Sequence, residues 1–343
     1  MTPGGRGFSA RARWVTLVVI AVVVLGASGA YAVMAFQRYQ DRSGGHSAAS
    51  ITTQLHTQDR IVFRNTASGE GYGRVASVAL GDPGGAREIS GAACDRVDAA
   101  AGVISCLRTL RGIPTTFETQ ILDAAGNSTQ QWSLAGIPSR TRVSKGGLVA
   151  TTAFVTGHSY AADSFSTETT IRGTDGTNYG NLEYYTMMID GRELTAIDRN
   201  VWGVSFVSED EFYATVASGG KTWLVNGSLS QRKLVSVGEN AECPSVSPDG
   251  TRVAYKKRST RMGLVHWDIA VLDLLTKKEI TIPLENGFDD QLEWLDKDTL
   301  LFGMSRTDAA GDSDVYRIQA EEAAQPDLLI EHAWSPSVVR GAN

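Results

Sequence analysis

The chain has 343 residues, 42% of them hydrophobic and 36 of them glycine, enough for one large core crossed by many turns. Its net charge is −6, and residues 1–42 carry five arginines against Asp41, which leaves −10 on the remainder. An acidic body lacks the basic face that a phosphate backbone requires, which excludes nucleic acid as a partner.

The first element in chain order is apolar. Residues 14–36, from Trp14 to Phe36, carry no charge, and a helix of that length crosses a hydrocarbon core of ~30 Å. Arg6, Arg11 and Arg13 precede it without an acid, so the positive-inside rule leaves residues 1–13 in the cytoplasm and the body outside. The competing reading is a signal peptide cut near Ala32, after the small-x-small triplet Ala30-Tyr31-Ala32. Either way the body is exported, as a single-pass membrane protein or as a secreted one. Residues 37–58 are rich in Gln, Ser, Thr, Gly and Ala without periodicity, and are expected to form a flexible tether.

Residues 59–343 read as short strands. Arg60-Ile61-Val62-Phe63-Arg64 looks like a second strand that lacks its first. Beyond it, the last apolar residue before each polar turn falls at Val97, Val143, Phe206, Val246, Trp294 and Trp334, with spacings of 46, 63, 40, 48 and 40 residues. A period of 40–50 is that of four-stranded propeller blades, and no amphipathic helix interrupts it. The chain stops after Ala333-Trp334-Ser335-Pro336, a first strand without a second. Pairing this strand with Arg60–Arg64 closes a ring of six blades, seven being the alternative, and removes the free sheet edges.

Glu242-Cys243-Pro244-Ser245-Val246-Ser247-Pro248-Asp249-Gly250-Thr251-Arg252-Val253-Ala254-Tyr255 spells strand, turn and strand, with Pro248 presetting φ and Gly250 taking positive φ. This segment and Trp334-Ser335-Pro336 resemble the WD40-like (PD40) repeat of TolB-type propellers. Across residues 60–340 the chain is also similar to the actinobacterial exported group called TolB-like translocation proteins. That likeness rests on Phe63-Arg64-Asn65, Cys94 with Cys106, Phe165-Ser166-Thr167 and Glu242-Cys243-Pro244. It implies an all-β, six-bladed TolB-like β-propeller and supplies no catalytic residues. TolB itself carries a further α/β domain ahead of its propeller, for which the stretch before Arg60 has no room.

Residues with chemical potential are few. In the repeat alignment Cys94 and Cys106 fall on neighbouring strands of one blade, and outside the cytoplasm a disulfide is expected, two buried free thiols being the alternative. Cys243 is left over as a core thiol. The five histidines, His158 among them, show no metal spacing, and no Gly-x-Ser-x-Gly elbow occurs. Metal and cofactor sites are therefore not expected. Asp289-Asp290, Asp296 with Asp298, and Asp308 with Asp312 and Asp314 read as solvated turns. Lys256-Lys257-Arg258 with Arg261 is the one dense basic cluster of the body, expected in a loop at a rim.

The 63-residue spacing carries about twenty extra residues around Thr156–Glu183, and long loops concentrate recognition. Tyr160, Phe165, Tyr179, Tyr184 and Tyr185 are the candidate binding residues there, unless the insertion merely widens blade three. Together these features describe a non-catalytic interaction or ligand-sensing module facing an envelope protein or wall component. The alternative is a lyase or hydrolase. That reading needs several carboxylates and an arginine to converge on one mouth of the central channel.

Overall fold

The structure is a computed structural model that describes residues 10–53, 59–155 and 166–341. It separates into two units. The first is built on a helix, Ala10–Ser43. Its stretch Arg11–Gln37 is long and apolar enough to cross a membrane, with a mean hydropathy of 2.4 and none of its most apolar window buried. The helix continues well past Phe36 because Gln37 to Ser43 contain no proline or glycine to stop it. Gly44 and Gly45 then end it, with Gly45 at φ 87° and the Gly44 amide bonded to the Gln40 carbonyl at 2.8 Å.

The second unit is a ring of six antiparallel sheets. Blade one, from its inner strand outward, is Ala333–Val339, Arg60–Asn65, Arg74–Ala79 and Arg87–Ala93. The inner strand of blade one therefore comes from the C-terminus and pairs antiparallel with Arg60–Asn65, Val338 opposite Ile61, as the unmatched ends of the sequence require. Ile51–Thr52 adds a parallel edge strand against Arg87–Glu88. Part of the expected tether is thus helix and part is sheet; residues 54–58 lie outside the described residues.

Blades two, three, five and six start with inner strands Arg96–Ala100, Ile137–Val143, Glu242–Val246 and Glu293–Trp294, each followed outward by three more. Blade four begins at Asn200–Phe206 and has six strands. Its two extra strands, Thr186–Ile189 and Arg192–Glu193, precede it in sequence, and Thr186–Met188 runs parallel to Lys233–Val235 on the outer strand. Among the described residues, the surplus of the longest repeat therefore widens blade four, not blade three. The reason is apolar: Leu182, Tyr185, Met187 and Ile189 are buried with Val225 and Leu234 in one cluster that joins the two blades.

The repeated turn has the expected form. Gly250 sits at φ 72°, its amide bonds the Ser247 carbonyl at 2.8 Å, and Asp249 accepts from the Ser247 hydroxyl at 2.6 Å and the Thr251 amide at 3.1 Å. Those donors hold the Asp249 carboxyl down at about 2. Cys94 and Cys106 form a disulfide with Cα atoms 5.3 Å apart. Cys94 precedes the inner strand of blade two rather than lying on it, so the bridge ties the blade-one crossover to the second strand of blade two.

Candidate functional site

The six inner strands run in the same sense around the channel, so their C-terminal ends share one mouth. That mouth opens a cavity of about 1010 Å³. Its wall takes Asp98 from blade two, Arg142 from blade three, Glu293 from blade six and six serines, among them Ser205, Ser245 and Ser337. Three carboxylates, Asp98, Glu209 and Glu293, and three arginines, Arg60, Arg142 and Arg340, do converge there.

Most of these side chains have a structural partner; Glu209 accepts from the Ser144 hydroxyl and the Gly146 amide, each at 3.1 Å. Asp98 accepts from the Val143 amide of the next blade at 2.7 Å, Ser205 from Val246 at 3.0 Å, Glu293 from Val338 at 3.1 Å, and Ser337 from Ala99 at 2.9 Å. One device thus recurs at four blade junctions: a polar side chain on an inner strand caps the backbone N–H of the following inner strand. It answers the requirement that a buried amide be paired where two sheets meet without a ladder. Arg142 then reaches across the ring from blade three to blade six. Its guanidinium lies 2.5 Å from Glu293 and 3.3 Å from Asp98, and donates to the Leu292 carbonyl at 2.8 Å. Burial raises the Asp98 carboxyl to about 7; Arg142 opposes that shift and the neighbouring Glu293 adds to it. Glu293 is raised by the same burial.

A second tie crosses the ring nearer the N-terminal ends of the inner strands. Arg140 donates to the carbonyl and, at 3.0 Å, to the carboxylate of Asp289, on the connection into blade six. Lys256 of blade five meets the same carboxylate at 2.8 Å. Asp290 is buried, and accepts from the Gly303 amide at 3.0 Å and from the amide and hydroxyl of Ser335 at 2.9 and 3.1 Å. It is therefore a tie between blades six and one, not the solvated turn expected from sequence. Asp312 and Asp314 are likewise engaged, with His332 and Arg306. Asp296 does cap its turn, through the amides of Asp298 and Thr299 at 2.8 Å.

The basic cluster is not a rim loop. Lys256, Lys257, Arg258 and Arg261 all belong to the strand Arg252–Arg261, whose alternation sends neighbours to opposite faces. Lys256 is buried, 4.8 Å from the Trp267 ring and 5.9 Å from Phe288. Lys257 pairs with Glu279, Arg261 pairs with Asp268, and of the four Arg258 alone is exposed. Among the tyrosines, Tyr185 is buried with Arg232 over its ring at 4.5 Å, and its hydroxyl donates to the Tyr179 carbonyl at 3.1 Å. Tyr179 packs on the same cluster and is half-buried, and Tyr184 is 76% exposed. Tyr160, Phe165 and His158 lie outside the described residues.

The sequence reading misses Asp98, Arg140, Arg142 and Glu293 and takes Asp290 for a turn residue, although for three of them a signal existed. Asp98, Arg142 and Glu293 each adjoin one of the apolar anchors Val97, Val143 and Trp294. A charge beside an anchor on a strand buried on both faces has to be paired or functional.

No family model matches the chain, and no curated relative does either. Among solved structures, TolB from Acinetobacter baumannii superimposes with a TM-score of 0.54 at 12% identity, over 84% of this chain and 68% of that one. The fold is that of a TolB-like propeller. A puromycin-hydrolyzing peptidase from Mycobacterium tuberculosis gives a TM-score of 0.48 at 13% identity, over 84% of this chain and 46% of that one. Oligogalacturonate lyase from Vibrio parahaemolyticus gives 0.46 at 9%, over 72% of each chain. At 12% identity the likeness to TolB is one of architecture, and the chemistry of this propeller rests on its own residues.

Proposed function

We propose that this chain is a membrane-anchored envelope module whose propeller binds a protein or wall component at the C-terminal mouth of its channel, without turning it over. The apolar helix supports the anchoring, and the arginines before it support an exported propeller. The observation that carries the binding reading is the engagement of the mouth carboxylates. Asp98 and Glu293 share one guanidinium and each caps a backbone amide of the next blade. A general acid or base must be able to meet a substrate proton at ~3 Å, and releasing either group would open a blade junction. What the mouth offers a ligand instead is volume, hydroxyls and main chain, the features of a recognition pocket.

The test is in-cell crosslinking of the full-length tagged protein with mass spectrometry, beside Ser208→Trp, which places a ring at the cavity wall. One dominant envelope partner, lost in the variant, is the expected result. A partner held equally by the variant refutes the mouth as the seat. A turnover activity of the purified protein that Glu293→Gln abolishes while the fold melts normally establishes the enzyme reading instead.

A further inference from the structure

The cross-channel tie at the other end of the ring has an unusual distribution of exposure. Lys256 and Arg140 are 2% and 8% exposed, yet the Asp289 carboxylate held between them is 75% exposed as a side chain. Two buried cations thus face a single anion that stands in solvent. Both come from strands of the ring, in blades five and three, whereas Asp289 comes from the connection between Ile282 and Glu293. The cations thus stand on sheet strands and the anion on a connection between blades.

The cationic side is also undersupplied with acceptors. Arg140 Nε is buried without a hydrogen-bond partner, while its terminal nitrogens donate to the Ser139 and Asp289 carbonyls and to the Asp289 carboxylate. Arg96, at the start of the neighbouring inner strand, donates to the Ser139 carbonyl at 2.8 Å, and its charge is disfavoured by burial and then by Arg140, which lowers it to about 10. Of the nearby acids, Asp290 is turned to Gly303 and Ser335.

We propose that Arg140 and Lys256 form a carboxylate-receiving clamp, shut here by the chain's own Asp289, and that an acidic peptide segment of a partner protein opens it by replacing that carboxylate. Asp289 shows that the carboxylate geometry fits, at 3.0 Å from Arg140 and 2.8 Å from Lys256. A guanidinium fork beside a point-charge ammonium suits a planar carboxylate. The choice of a peptide rests on the wall beside the clamp. On the face of the hairpin Arg252–Arg261 and Leu264–Asp273 that carries Lys256, Trp267 lies 4.8 Å from the ammonium and Val265, two residues closer to the hairpin tip, is 45% exposed. Apolar contacts beyond a cationic base match a segment with an acidic residue flanked by apolar ones. This site lies at the end of the channel opposite the mouth cavity and stands independently of it.

The test uses the full-length protein in detergent, with hexaglutamate as the probe and calorimetry as the readout. Asp289→Ala removes the internal competitor and is expected to bind the peptide about tenfold more tightly than the wild type, with the peptide raising its melting temperature. Adding Lys256→Met to that variant should weaken binding at least tenfold; Arg140→Gln serves the same purpose if the methionine variant does not fold. Equal affinity in wild type and Asp289→Ala overturns the proposal, as does unchanged binding after loss of either cation. Inorganic phosphate binding as tightly as the peptide overturns the carboxylate assignment, and hexagalacturonate binding in place of the peptide overturns the choice of partner.

Discussion

Replacing Arg142 by leucine tests the account of the channel most directly. Arg142 is 8% exposed and serves two carboxylates, the buried Asp98 and the largely covered Glu293, that come from blades two and six. Removing one member of a buried ionic group leaves uncompensated charge and costs about 3–5 kcal/mol. For a domain of this size about 1 kcal/mol moves the melting temperature by ~2 °C, so Arg142→Leu should melt ~6–10 °C below the wild type at pH 8. The pH dependence gives the sharper check. Asp98 titrates at about 7 when folded, against ~3.9 when unfolded, so the folded protein holds more protons between those values. Stability then falls as pH rises through that window, in the wild type already. Without Arg142 both carboxylates move further up, and the difference between variant and wild type should widen from pH 5 to pH 8. Calorimetric or circular-dichroism melts across that range, with the disulfide intact, measure it. The triple variant Asp98→Asn, Arg142→Leu, Glu293→Gln should recover most of the loss, because no buried charge is left alone. Equal melting at pH 8, or a difference that narrows with rising pH, would refute the reasoning.

Three further outcomes follow from the fold. Replacing Cys94 and Cys106 by serine opens a loop with a sequence separation of 12 and should cost about 3 kcal/mol on the chain-entropy estimate, read as a lower denaturant midpoint. Deleting residues 333–343 removes the inner strand of blade one and with it the ring closure; the truncated body should lose cooperative unfolding and become protease-sensitive, and a normal melt would disprove closure. Gly203 has φ 64°, and a Cβ there would lie 2.6 Å from the Cys243 Cα on the next blade. Gly203→Ala therefore combines left-handed strain of ~1–2 kcal/mol with a backbone clash at the blade four–five junction, and a melting temperature within 1 °C of wild type would contradict it.

The blade count was legible because a propeller repeats its turn chemistry locally. Ser247-Pro248-Asp249-Gly250 needs no partner elsewhere in the chain to reverse direction, so its copies mark the inner strands in linear order. The ring closure was legible for a related reason, since Arg60–Arg64 and Ala333–Pro336 are each half of that same unit. The Cys94–Cys106 bridge followed from their adjacency in the repeat alignment.

The candidate site was not legible, because its residues are brought together only across the ring. Asp98, Arg142 and Glu293 are far apart in sequence, and whether a lone charge on an inner strand is paired depends on which blade stands opposite. Lys256 shows the same limit from the other side: three adjacent basic residues suggest a solvated rim, but strand alternation and the facing Asp289 and Trp267 bury the first of them. The extra length before Phe206 could have widened either flanking blade, and burial of Leu182, Tyr185 and Met187 against blade four decided it. The sequence alone determined the helix, the six-fold strand pattern and its closure, because each is written in local periodicity and turn chemistry. Only the tertiary structure decided which charges meet in the channel, because pairing in a ring depends on the distance across it rather than along the chain.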